Sequence, residues 1–268
     1  MKHIKRKIAI IILGSFLLSV LIYFNILRQN YVVPILMYHS VSPQASRKTM
    51  LVVSPETFER QIRFLKQHNY KVVPVEKIAN LIKNKEKIPF GTIAITFDDG
   101  FKDNYTYAFP VLKKYKIPAT IFVIVNEVGR PQGDRVSWDE IKEMQDSGLV
   151  VIGSHALGPE PLVKINSQEQ VRREIFESKR VLEEKLGKKI NIFCYPEGMF
   201  NPVIRQLVID AGYLGSVATN PGRNYPDDDI FALKRLRISE NAKSMFVFGV
   251  EASGFYTYMK ESKRKHKK

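Results

Sequence analysis

Two adjacent carboxylates, Asp98 and Asp99, close the apolar run Thr92–Phe97 and precede Gly100, in the sequence TIAITFDDG. The run is β-branched and short, as expected of a strand buried on both faces, and Gly100 permits a sharp turn after it. In α/β folds chemistry sits at the C-terminal ends of such strands. Neighbouring residues on a strand point to opposite sides, so the two acids are expected to hold different jobs. One could bind a metal while the other moves a proton. Three more apolar runs end in groups able to do chemistry: Tyr38-His39-Ser40, Ser154-His155 and Tyr195-Pro196-Glu197-Gly198. A carboxylate with imidazole suits zinc or another borderline divalent ion. Such an ion acidifies bound water and polarises a carbonyl, and a second carboxylate can take the proton. The parts describe metal-assisted hydrolysis of an amide or ester. A magnesium phosphohydrolase would space its acids as Asp-x-Asp, which FDDG does not match.

These residues need a frame that brings strand ends together. Strands are expected over 31–37, 71–75, 92–97, 119–125, 150–153, 190–195, 214–219 and 233–238. Helices are expected between them: one after the cap and first-turn proline Ser54-Pro55, then 75–83, 104–115, 137–147, 167–186 and a last one from Asn201-Pro202 to Gly212. Ser167 with Gln170 reads as a capping box, and Gly187 as that helix's stop. Strands alternating with helices imply a parallel sheet, and about seven such units imply a barrel in one domain.

The 268 residues carry a net charge of +15, unevenly spread. Lys2, Lys5, Arg6 and Lys7 hold four of it, and the tail 260–268 five more, leaving six for everything between. A nucleic-acid binder carries its excess on the folded domain, so this distribution points to a membrane surface or an anionic wall polymer and not to nucleic acid. Residues 8–27 contain no charge, and twenty helical residues span about 30 Å, the hydrocarbon thickness. With the basic flank 1–7 held in the cytoplasm, the segment is expected to be an uncleaved signal-anchor that places the domain at 33–255, and the basic tail 256–268, outside. A cleaved signal peptide competes with this, but the run is long for one and no A-x-A-like site follows. The single cysteine, Cys194, excludes an intrachain disulfide.

TFDDG, the strand-end GSH at 153–155 and FCYPEG at 193–198 resemble the polysaccharide deacetylase (NodB-homology) family, carbohydrate esterase family 4. The opening VPILMYHSV at 33–41 is similar to the first motif of its poly-N-acetylglucosamine deacetylase branch, and the likeness extends over residues 33–240. The resemblance implies a distorted (β/α)7 barrel, here behind an N-terminal transmembrane helix. It further implies a divalent metal, zinc or else nickel, cobalt or iron, and an N-acetylated polysaccharide substrate whose linear amides, or O-acetyl esters, are hydrolysed. By the same resemblance Asp98 is the catalytic base, Asp99 and His155 are metal ligands, His39 is the general acid, and the backbone N–H of Glu197 stabilises the oxyanion. Two departures stand out. The family's second metal-binding histidine, four or five residues after the first, is replaced by Pro159 and Glu160, so Glu160 is the candidate third ligand. The family's arginine-x-proline-tyrosine motif becomes Cys194-Tyr195-Pro196-Glu197, without its arginine and its tyrosine. The alternative to an anchored deacetylase is therefore a glycan-binding protein with a degraded metal site.

Overall fold

The computed structural model describes residues 11–22, 32–45, 51–219 and 229–256. In chain order the strands are β1 (Ile35–Tyr38), β2 (Ser40–Val41), β3 (Val52–Val53), β4 (Lys71–Val72), β5 (Thr92–Phe97), β6 (Ala119–Val123), β7 (Val150–Ser154), β8 (Ile192–Cys194), β9 (Gly215–Ala218), β10 (Leu233–Lys234) and β11 (Leu236–Arg237). A helix whose described part is 11–22 (α1) precedes them. It is followed by α2 (Pro55–Gln67), α3 (Val75–Lys83), α4 (Phe109–Tyr115), α5 (Trp138–Asp146), α6 (Gln168–Leu186), α7 (Pro202–Asp210) and α8 (Met245–Ala252). The main sheet runs β10-β9-β8-β7-β6-β5-β1-β11, with β4 added beside the start of β5. All its pairings are parallel. Its two outermost strands, β10 and β11, are separated in the chain by Arg235 alone. They form one broken stave, and the sheet is a nearly closed barrel of seven positions, as the alternation of elements implies.

Side-chain parity sorts each strand between two cores. On β5, Ile93, Ile95 and Phe97 join the large cluster between sheet and helices, whereas Ala94 belongs to the inner one. That inner cluster unites Ile35, Ala94, Phe122, Ile192, Cys194, Val217 and Leu233 with Val75, Ile78 and Ala79 of α3. Val75 N–H donates to Thr120 Oγ1 near the start of β6, and Ala79 lies against Gly215, the first residue of β9, so α3 floors the barrel at the N-terminal ends of its strands and the opposite end stays open. Caps set the helices: Ser54 accepts from Thr57 N–H ahead of Pro55, and Asn201 accepts from Ile204 N–H ahead of Pro202. The complete capping box is Ser137 with Glu140; Ser167 accepts from Gln170 N–H, and Gly187 ends α6 at φ 64°.

The structure departs from the expected elements in three places. The expected helix 104–115 opens with a π-helical turn, Asn104–Ala108, before α4. The expected strand 233–238 breaks at Arg235. The short β2–β3 ladder and α8 carry too few periodic residues to be read in advance. Of the apolar segment 8–27, residues 11–22 are helical with Ile11, Phe16 and Leu21 at least 64 % exposed, and the rest lies outside the described residues. No described helix is long and apolar enough to cross a membrane.

Candidate active site

On four strands the inward row, followed to the open end, finishes in a titratable or charged group. Ala94, Thr96 and Asp98 succeed one another on β5, and Gly153 and His155 on β7. Gly153 cannot be larger, because a Cβ there would lie 2.4 Å from the Phe122 ring. Ile35, Met37 and His39 follow β1, and Leu233 and Arg235 follow β10. His39, Asp98, Asp99, His155 and Glu197 all line one cavity of about 280 Å³, with Arg135, Leu51, Ile124, Pro159, Pro196, Gly198 and Thr219. Five of the six residues singled out from the sequence are thus brought together. Glu160 is exposed and outside the cavity wall, although its neighbour Pro159 is part of it.

Asp98 is buried and gripped by a residue that sequence reasoning missed. Arg235 Nη1 donates to Asp98 Oδ1 (2.6 Å) and Nη2 to Oδ2 (2.7 Å), a two-pronged charge-assisted pair. The same guanidinium reaches Thr96 Oγ1 (3.2 Å), Ala218 O (3.4 Å) and Cys194 Sγ (3.2 Å). Burial pushes the Asp98 carboxyl up, but the Arg235 charge and its hydrogen bonds outweigh this and hold it down at about 2. Cys194 stands where the family's motif has its arginine, and Arg235, from the break between β10 and β11, contacts both Cys194 Sγ and Asp98. The available signal was parity, since an arginine in the inward row of a buried strand has to find a carboxylate.

Asp99 does not continue the strand. It adopts left-handed backbone (φ 67°), as do Ala156 (φ 65°), directly after His155, and Glu197 (φ 54°). For residues with a Cβ this conformation is strained; Asp99 and Glu197 line the cavity, and Ala156 directly follows the cavity residue His155. At Asp99 the turn aims the carboxylate at His155, whose Nε2 lies 3.4 Å from Oδ1. His155 Nδ1–H donates to Cys194 O (2.9 Å), so Nε2 faces the cavity, the orientation in which a ligating histidine is held by its other nitrogen. Two donors about 2.1 Å from one zinc at a tetrahedral angle lie about 3.4 Å apart, so Asp99 and His155 fit two corners of such a site. A second set, Asp98, His155 and Cys194, has ligand atoms within 4.8 Å of one another and could also hold an ion. The Arg235 fork, a fixed positive charge on both Asp98 oxygens and beside Sγ, argues for the Asp99 side. Burial also raises the Cys194 thiol, keeping it neutral and a poor ligand.

His39 is the single residue between β1 and β2. Its Nε2 stands 4.0 Å from Asp98 Oδ2, and burial lowers its pKa despite the nearby Asp98 and Asp99 charges. Glu197 sits in the 3₁₀ turn Pro196–Gly198. The next two N–H groups, of Gly198 and Met199, donate to Tyr195 O and Pro196 O, whereas that of Glu197 makes no such bond among the described residues. Together these parts can bind a divalent ion, accept a proton at Asp98, donate one from His39 and offer an N–H to a developing oxyanion.

Comparison with known proteins defines the class. The sequence pattern of the polysaccharide deacetylases matches residues 85–215, and the chain belongs to that family, enzymes that act on carbon–nitrogen bonds other than peptide bonds. The chain is 32 % identical to YxkH of Bacillus subtilis (strain 168), assigned by name to the polysaccharide deacetylases, over 86 % of this chain and 77 % of that one. It is also 32 % identical to the poly-beta-1,6-N-acetyl-D-glucosamine N-deacetylase of Staphylococcus aureus (strain MRSA252), over 71 % of this chain and 69 % of the relative. Among solved structures, the Streptococcus pyogenes deacetylase PplD, in complex with acetate, superposes with a TM-score of 0.71 at 28 % identity, covering 78 % of this chain and 93 % of PplD. IcaB from Ammonifex degensii does so with 0.72 at 28 %, covering 83 % and 97 %.

Proposed function

We propose that this chain is a membrane-anchored, metal-dependent deacetylase that removes N-acetyl groups from an extracytoplasmic polysaccharide. The observation that carries the reading is the convergence of an ionised Asp98, the Asp99–His155 donor pair and His39 on one small cavity. At about 280 Å³ it lies just below the about 300 Å³ where small-molecule sites begin, and suits an acetamido group with the sugar that bears it. The S. aureus relative's activity supports an N-acetylglucosamine polymer as substrate. Asp99 and His155 would hold the metal, which when bound supplies an acidified water and polarises the acetyl carbonyl. Asp98, kept anionic and oriented by Arg235, accepts the proton of the attacking water. The Glu197 N–H donates to the oxygen as charge develops on it. His39, neutral at rest, must be charged before it donates to the leaving amine, and Asp98 Oδ2 is a carboxylate oxygen from which it can take a proton. The anchor rests on the uncharged run 8–27, its basic flank and the exposed apolar side chains of α1.

A binding-only reading is favoured by one observation: Pro159, with no side-chain donor, occupies the cavity wall after His155. One experiment separates the two. Purified full-length protein is analysed for metals and incubated with poly-N-acetylglucosamine while free amines are counted. The deacetylase reading expects one divalent ion per chain, amine release, loss on chelation and recovery on adding zinc, nickel, cobalt or iron. Glycan binding without metal or amine release would establish the other.

A further inference from the structure

The general acid of the proposed reaction lacks the usual means of orienting an imidazole. A catalytic histidine is normally steered by a partner on its second nitrogen, but His39 Nδ1 is buried with no hydrogen-bond partner among the described residues. What the structure supplies instead is a grip on the backbone. Asn104 Nδ2 donates to the His39 carbonyl (2.7 Å), Ser40 Oγ donates to Asp103 Oδ2 (2.5 Å), and Val41 N–H donates to Asp103 Oδ1 (3.1 Å). Asn104 Nδ2 also bonds Asp103 Oδ1 (3.1 Å), tying the two gripping residues together. Three consecutive residues, 39 to 41, are therefore each held by one dipeptide. Asn104 is fully buried and begins the π-helical turn Asn104–Ala108, a distortion that recurs at functional sites. Its N–H is spent on Phe101 O (3.0 Å), which fixes the clamp to the loop that follows Asp98 and Asp99.

We propose that Asp103 and Asn104 are positioning residues for His39, setting the imidazole against the leaving amine by holding main chain where other histidines are held by the ring. The inference rests on the deacetylase reading given above. It has a consequence that general loop support lacks, because only one kind of leaving group needs an acid. An amide expels an amine that must be protonated, whereas 4-nitrophenyl acetate expels a phenolate that leaves without a proton.

The test compares both substrates with full-length protein carrying Asn104→Ala, Asp103→Asn or His39→Ala. For Asn104→Ala, kcat on an N-acetylglucosamine oligomer should fall about 10²-fold at nearly constant KM, while ester turnover changes by less than about threefold. His39→Ala should show the same split, and the double variant should be no slower on amide than His39→Ala alone, as expected of residues acting as a unit. Equal loss on amide and ester, an unchanged amide rate, or additive effects in the double variant would each overturn the proposal. Where Asn104→Ala does not fold, Ser40→Ala removes a single clamp bond and should give a weaker split of the same sign, and an equal loss on both substrates there is equally fatal. A wild-type protein inactive on the amide would sink the deacetylase reading, and this proposal with it. An active wild type whose variants show no split would sink the proposal alone.

Discussion

Asp98 and Arg235 make a pair that is buried on both sides and bonded at both carboxylate oxygens. Such a pair is worth little against apolar packing, yet breaking it strands a charge and costs about 3–5 kcal/mol. Arg235→Met is therefore expected to lower unfolding stability by about that amount in urea titrations. Arg235→Lys keeps the charge but cannot form the fork. Its amide turnover should drop about 10²-fold with metal content unchanged, because the base loses its orientation and not the ligands theirs. The pair also fixes an acid limb. The folded value of Asp98 is depressed from 3.8 to about 2, so its stabilisation is complete above the ordinary value and lost as pH falls through the lower one. Asp98→Asn should flatten the fall in stability between about pH 4 and about 2 seen in acid titration of the wild type. Glu160, exposed and off the cavity wall, should tolerate replacement by Ala with metal content and turnover unchanged.

The strands carry these residues only because neighbouring strands leave them space. Gly153 lets β7 lie against the Phe122 ring of β6, and a methyl group there would also stand 3.0 Å from Ile192 O. Gly153→Ala should destabilise by about 1–3 kcal/mol, and Phe122→Leu in the same chain should recover part of it, read as paired shifts in urea midpoint. Much of this was legible beforehand. The β-branched run at Thr92–Phe97, the capped starts at Ser54 and Asn201 and the stop at Gly187 act locally, so their residue types announce them. Arg235 was harder to read as a site residue: parity puts it in the inward row, but its partner Asp98 lies at the end of β5, beyond β1, and no motif surrounds it. The strand expected at 233–238 was placed correctly, but its break depends on closing a ring, which local alternation does not encode. Asn104 looked like an ordinary helix residue for the same reason: its partner is His39 O, sixty-five residues away. Asp99 was expected to point away from Asp98, and the positive φ that turns it toward His155 is imposed by the loop rather than by pleat.

Taken as one object, the domain ties its site to the completeness of its sheet. If residues 8–27 anchor it with the domain outside, protease added to intact cells should degrade the domain, and full protection would place it in the cytoplasm. Removal of residues 233–268 should abolish deacetylation and broaden the urea transition, since it deletes both terminal strands of the barrel together with Arg235. The route by which the barrel closes has a temporal side. A chain is made from its N-terminus, and domains fold as their segments emerge. The two acids of β5 are made more than a hundred residues before the arginine that completes them. Until that last stave is in place, Asp98 lacks the partner that holds it oriented. A partly synthesised chain therefore holds its acids and His155 but not an oriented base, and hydrolytic competence arrives late, as a certificate that synthesis has reached the far end of the barrel.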